Sequence, residues 1–129
     1  MVIAVASTGI AALLLQNATT VHSAFKVPLQ IMPGSACSIS ARSDQGRMLL
    51  QSQAILWDEA TMSGKDVVDC VNQLFQSLTG NKTEPFGGKV VVFGGNFRQT
   101  LPVVGKRQGR ARIVSKTIKK TGQVFSCCA

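Results

Sequence analysis

Ala54-Ile55-Leu56-Trp57-Asp58-Glu59-Ala60-Thr61-Met62 decides how this chain is read. Four apolar residues run without interruption into two adjacent carboxylates. A parallel strand buried on both faces reads as a continuous apolar run, and in open α/β sheets ligands bind outside the carboxyl ends of the strands. Asp58 and Glu59 therefore fall where a nucleotide would sit, the arrangement of a Walker B element. The two acids can divide the work. Asp58 suits the Mg²⁺ that bridges the β- and γ-phosphates of ATP, held through water because Mg²⁺ dehydrates reluctantly; Glu59 suits orienting and deprotonating the attacking water. An Asp-Glu pair is also a common way for a chain to leave a sheet, so this stretch alone leaves both readings open.

Upstream, the β-branched run Val2–Ala6 suits a central strand, and Ser7-Thr8-Gly9 closes it with a hydroxyl available to cap a helix over 10–16. Residues 19–25 (Thr-Thr-Val-His-Ser-Ala-Phe) read as a loop entering a short helical turn. A Pro-, Gly- and Ser-rich surface connection over 27–42 follows, then a short helix over Asp44–Gln51. Downstream, Ser63 with Asp66 three positions on resembles a capping box. Val67, Val68, Val71, Leu74, Phe75 and Leu78 then form one apolar helical face, ended by Gly80. A loop over 81–88 leads to a third apolar strand over 89–93, which runs into Gly94-Gly95-Asn96-Phe97-Arg98-Gln99. Residues 110–120 have helical spacing, and 124–128 suit a fourth strand. Strands alternating with helices imply βαβ crossovers and a parallel sheet covered on both faces, that is, an α/β domain. The three strand ends would then share one edge, lined by Ser7, Thr8, Asp58, Glu59 and residues 96–99.

With 129 residues and 45% hydrophobic content, the chain is one domain's worth and has enough apolar material for a core. The net charge of +8 suits a polyanionic partner. Its distribution says more. No acid follows Glu84, and seven of the nine basic residues from Lys89 onward lie between Lys106 and Lys120, giving either a positive face or a solvated basic tail. Cys37, Cys70, Cys127 and Cys128 make no CxxC pair and have no histidine nearby, which argues against a zinc site and for reduced thiols. The apolar start lacks any Lys or Arg before Lys26, unlike a signal peptide, and no run approaches the ~20 apolar residues of a membrane span.

Four ordered stretches together resemble a known family. They are Ala6-Ser7-Thr8-Gly9-Ile10-Ala11-Ala12; Thr19-Thr20-Val21-His22-Ser23-Ala24-Phe25; Trp57-Asp58-Glu59-Ala60-Thr61-Met62; and Phe86-Gly87-Gly88-Lys89 continuing to Gly94-Gly95-Asn96-Phe97-Arg98-Gln99-Thr100-Leu101-Pro102-Val103. This set is similar to the first motor domain of ATP-dependent DNA helicases of the petite-integration-frequency type, within superfamily one, and most of all to the Helitron-transposon branch. The resemblance implies a RecA-like, P-loop NTPase fold over residues 1–129, with ATP and Mg²⁺ as cofactors. It makes Asp58 the metal and nucleotide carboxylate, Glu59 the catalytic base, and Gln99 the γ-phosphate sensor, whose amide can donate to a phosphate oxygen and accept from the attacking water. It places Ser7, Thr8 and Gly9, with Thr20 and His22, along a single-stranded DNA backbone. By themselves those hydroxyls serve equally well as helix caps, and His22 as a packed structural residue. Phe25 would pack beneath His22, and Trp57 and Met62 would belong to the core.

Two departures qualify the resemblance. Asn96 stands where the family usually has Asp, removing a charge beside the metal site. No G-x-x-x-x-G-K-[ST] loop occurs either: Gly88-Lys89 is followed by Val90, and Gly64-Lys65 by Asp66. The resemblance puts that loop and its strand upstream of Met1 and a second motor domain downstream of Ala129. The expectation is thus a segment of a helicase that moves 5′ to 3′ on single-stranded and forked DNA. Family processes are DNA repair, recombination and telomere maintenance, in the nucleus or a mitochondrion. The rival expectation is a non-catalytic nucleic-acid-binding remnant.

Overall fold

The computed structural model describes residues 1–32 and 34–95. Expectations on Asn96, Arg98 and Gln99, on the helix over 110–120 and on the strand over 124–128 lie outside them. Among the described residues four strands form one sheet: β1 (Val2–Ala6), β2 (Thr19–Thr20), β3 (Ala54–Asp58) and β4 (Val90–Phe93), in the order β2-β1-β3-β4. All three pairings are parallel. The helices are α1 (Gly9–Leu14), α2 (Val21–Phe25), α3 (Asp44–Gln51) and α4 (Lys65–Thr79). This is the α/β parallel sheet that the alternation of elements required.

The two sheet faces are covered differently. Alternation sends Val5, Ile55, Trp57, Val91 and Phe93 to one face, where they meet Val21 and Phe25 of α2, Leu49 of α3 and the Val67, Val68, Val71, Leu74 and Phe75 stripe of α4. Four aromatic contacts knit this core: Phe25 with Trp57 and edge-on with Phe75, and Phe93 with Trp57 and Phe86, at centroid separations of 5.5 to 6.4 Å. Such pairs add roughly 0.5 to 1.5 kcal/mol each beyond the area they bury. On the opposite face, among the described residues, only the small residues Ala11 and Ala12 of α1 form a buried cluster with Ala6. Val2, Leu56 and Val90 stay exposed there.

Local differences from the sequence reading have physical causes. Thr19 and Thr20 form a two-residue strand rather than loop, because they extend the sheet beyond β1 in register with Val5 and Ala6. Helix α1 stops at Leu14, and the 81–88 connection ends in a 3₁₀ turn over Pro85–Gly88. The capping box at Ser63 is not formed. Gly64 is the N-cap of α4 and no side chain caps that helix, because the Ser63 hydroxyl is bonded to Ser7 instead. Met62 is 57% exposed and so lies outside the core that Trp57 anchors.

Candidate active site

Strand register builds the site. Ala6 of β1 is paired with Thr20 on one side and with Asp58 on the other, so one row across the sheet runs Thr20, Ala6, Asp58. Each chain leaves the sheet just past this row, as Ser7-Thr8, as Val21-His22 and as Glu59. Trp57 is in register with Phe93, which brings Gly94 to the same edge; Gly94 N–H donates to the Trp57 carbonyl at 2.7 Å, and Ala60 N–H donates to the Gly94 carbonyl at 2.9 Å.

The two carboxylates lean toward different neighbours. Asp58 is half-buried and accepts the Glu59 backbone N–H on Oδ1 at 2.8 Å. That oxygen lies over β4: a Cβ added to Gly94 would come within 3.1 Å of it. Glu59 sits in left-handed backbone geometry (φ 50, ψ 38), a conformation that L residues seldom adopt and that recurs at functional sites. Its Oε2 accepts the Thr8 hydroxyl at 2.9 Å, on the β1 side. Thr8 has a second task, since the same oxygen accepts the Ala11 N–H at 3.2 Å and caps α1.

Ser7 faces inward. Its backbone N–H donates to the Asp58 carbonyl at 3.1 Å, and its hydroxyl oxygen accepts the Trp57 indole N–H at 3.1 Å while lying 2.6 Å from the Ser63 hydroxyl. This ties the end of β1 to the base of the acidic pair. Gly9, next to Thr8, is exposed, and among the described residues nothing lies within 4 Å of where its Cβ would project. Thr20 caps α2 by accepting the Ser23 N–H at 3.3 Å. His22 is half-buried on that helix, and Phe25 on the same helix is fully buried. Ser63, read from the sequence as a helix cap, and Gly94, read only as part of the fourth stretch, were not expected to hold the site edge together. A glycine directly after an apolar strand, beside a candidate metal carboxylate, is the one signal that pointed to Gly94.

No cluster of three or more His, Cys, Asp or Glu side chains comes together among the described residues. A hard oxygen donor such as Asp58 nevertheless fits Mg²⁺, which binds through one or two carboxylates, water and substrate phosphates rather than an all-protein cage. Among the described residues no helix is long and apolar enough to cross a membrane.

An all-parallel sheet with polar residues gathered at its carboxyl edge is an open α/β domain, and the solved structures it matches make it RecA-like. The chain belongs to the PIF1-like helicase family, whose profile matches residues 1–127. Among solved structures it is similar to Bacteroides Pif1 bound to single-stranded DNA, with 27% identity, a TM-score of 0.74, and coverage of 97% of this chain and 32% of that one. It is likewise similar to Bacteroides Pif1 helicase in complex with ADP-AlF3 and single-stranded DNA, at 28% identity and a TM-score of 0.70, covering 92% of this chain and 27% of that one. A third match is to a structure of two coordinating Pif1 helicases unwinding forked double-stranded DNA, at 30% identity and a TM-score of 0.70, over 89% of this chain and 27% of that one. The chain thus spans about a third or less of the length of these relatives. No curated protein sequence matches it.

Proposed function

We propose that this chain is a segment of the first motor domain of an ATP-dependent DNA helicase, contributing the acidic half of the ATP site and part of a single-stranded DNA track. The observation that carries the reading is the row Thr20, Ala6, Asp58 with the Thr8–Glu59 bond, which sets candidate DNA-contacting residues directly beside the two acids. In this reading Asp58 holds Mg²⁺, which supplies charge neutralisation at the phosphates when bound. Glu59 takes the proton of the attacking water, and Gln99, outside the described residues, senses the γ-phosphate. Thr8, the Gly9 backbone, Thr20 and His22 follow the DNA backbone without reading sequence, with Ser7 fixing their position from beneath. The nucleotide and DNA ligands of the Pif1 relatives support this assignment.

Movement 5′ to 3′, action on forked DNA, and roles in repair, recombination and telomere maintenance in the nucleus or mitochondrion follow from the family reading alone. The test is phosphate release and strand separation by the full helicase that carries this segment, on forks with a single 5′ or 3′ tail. DNA-stimulated release with unwinding of the 5′-tailed fork is expected. The non-catalytic alternative draws on Asn96 and on the basic residues between Lys106 and Lys120. DNA binding without nucleotide-dependent heat in calorimetry would favour it.

A further inference from the structure

Thr8 has one hydroxyl proton, and in this structure it is donated to Glu59 Oε2. The bond draws the Glu59 carboxylate to the β1 side of the edge, whereas Asp58 Oδ1 lies over Gly94 on the β4 side. A base and a metal ligand that serve the same phosphate must converge, so a Glu59 held by Thr8 is turned away from its partner. Meanwhile, among the described residues nothing lies within 4 Å of where a Cβ on Gly9 would project, and Thr8 is only half-buried. A phosphate oxygen arriving there competes for the single proton. It also brings negative charge next to the Glu59 carboxylate, and like charges at such range repel.

We infer that Thr8 is a positioning residue that couples single-stranded DNA to the catalytic base: a DNA phosphate that takes the Thr8 hydroxyl releases Glu59 toward the Asp58 side. This deepens, and rests on, the reading of Glu59 as base and Thr8 as a DNA contact. Coupling between two sites is reciprocal, so whatever DNA does to Glu59, Glu59 does to DNA affinity. The consequence can be read without nucleotide or metal. Removing the Glu59 carboxylate frees the Thr8 proton and should tighten DNA binding.

The experiment is a double-mutant cycle on the 129-residue chain, with a fluorescein-labelled oligo-dT as probe, read by anisotropy in the absence of nucleotide. Glu59→Ala should tighten binding roughly tenfold, inside the 5- to 150-fold span usual for coupled sites. In a Thr8→Val background the same substitution should change affinity less than about twofold, because no shared proton is left to release; general loss of negative charge would act in both backgrounds. Thr8→Ser keeps the hydroxyl and the helix cap and should restore the full effect. It also separates coupling from any loss of folding in Thr8→Val. If wild type binds and Glu59→Ala acts equally in both backgrounds, the coupling is refuted and the DNA reading stands. If wild type does not bind oligo-dT, the DNA reading falls and takes the coupling with it.

Discussion

Replacing Ser7 with Ala should destabilise the domain without touching any apolar contact. The Trp57 side chain is fully buried, and its indole N–H donates to Ser7 Oγ. Ser63, 9% exposed, makes its side-chain bond to the same oxygen. Alanine at position 7 leaves both without that partner. An orphaned buried donor costs about 1 to 3 kcal/mol, and Ser63, near the edge, recovers part of its loss from water, so a total near 2 kcal/mol is expected. For a domain of 129 residues that corresponds to a fall in Tm of roughly 5 to 10 °C. Trp57 is the only tryptophan in the chain, so its fluorescence reports unfolding from the site itself. Urea titration should show a lower midpoint with an unchanged slope, since the surface exposed on unfolding is the same. In a cycle with Trp57→Phe, the double variant should lose less stability than the sum of the two single losses, because either change alone breaks the bond. A Ser7→Ala midpoint within about 0.5 kcal/mol of wild type, the size of an ordinary surface change, would refute the argument.

Other expectations follow from other parts of the chain. At Gly87 (φ +62) an added Cβ would lie 2.7 Å from the Phe75 carbonyl and still closer to the Thr79 hydroxyl, so Gly87→Ala should cost about 1 to 3 kcal/mol in thermal or urea unfolding. Burial, reinforced by hydrogen bonding and charge proximity to Cys70, pushes the Cys37 thiol well above its ordinary range. Because the folded state holds this proton more tightly than the unfolded chain, its contribution is complete below about pH 8.5 and declines as pH rises beyond it; Cys37→Ser should flatten that alkaline loss in urea titrations at several pH values. Cys37 Sγ also lies 2.9 Å from Cys70 Sγ, so oxidised glutathione should link the two, read as a loss of two mass units with release of two reduced glutathione molecules. Single-stranded DNA affinity should fall with salt at a log-log slope of about −0.7 per phosphate contact, and substituting Lys106, Arg107, Arg110 and Arg112 with Ala should flatten it; an unchanged slope would place the contacts elsewhere.

Periodicity and strand composition were enough to read three of the four strands and α4, because β1, β3 and β4 are short apolar runs and α4 carries a helical apolar stripe. The stripe from Val67 to Leu78 packed as its spacing required, whereas in the run Ala54 to Trp57 only Ile55 and Trp57 are buried and Leu56 is exposed, so among the described residues this strand is buried on one face and not on both. Short elements were less legible. Thr19–Thr20 has no strand signal of its own and becomes a strand only because β1 offers it an unpaired edge. Local capping rules also failed at Ser63, where a distant partner 56 residues away outcompeted the nearby helix N-terminus. At the site, sequence order alone put Asp58 and Glu59 at the strand end. It could not show that the acids lean to opposite sides, because that depends on the left-handed backbone at Glu59 and on the Thr8 hydroxyl across the sheet. Ser7 had equal standing with Thr8 as a motif residue, yet the indole of Trp57 turns its hydroxyl inward.

The division of roles between the two acids is tested most directly by nucleotide binding and phosphate release in the helicase carrying this segment, comparing Glu59→Gln with Asp58→Ala. Glu59→Gln should bind ATP with Mg²⁺ as wild type does and lose about 10² to 10⁴ in DNA-stimulated turnover, since an amide cannot take the proton of water. Asp58→Ala should lose the Mg²⁺-dependent part of binding itself. Wild-type turnover in Glu59→Gln, or equal loss of binding in both variants, would contradict the account.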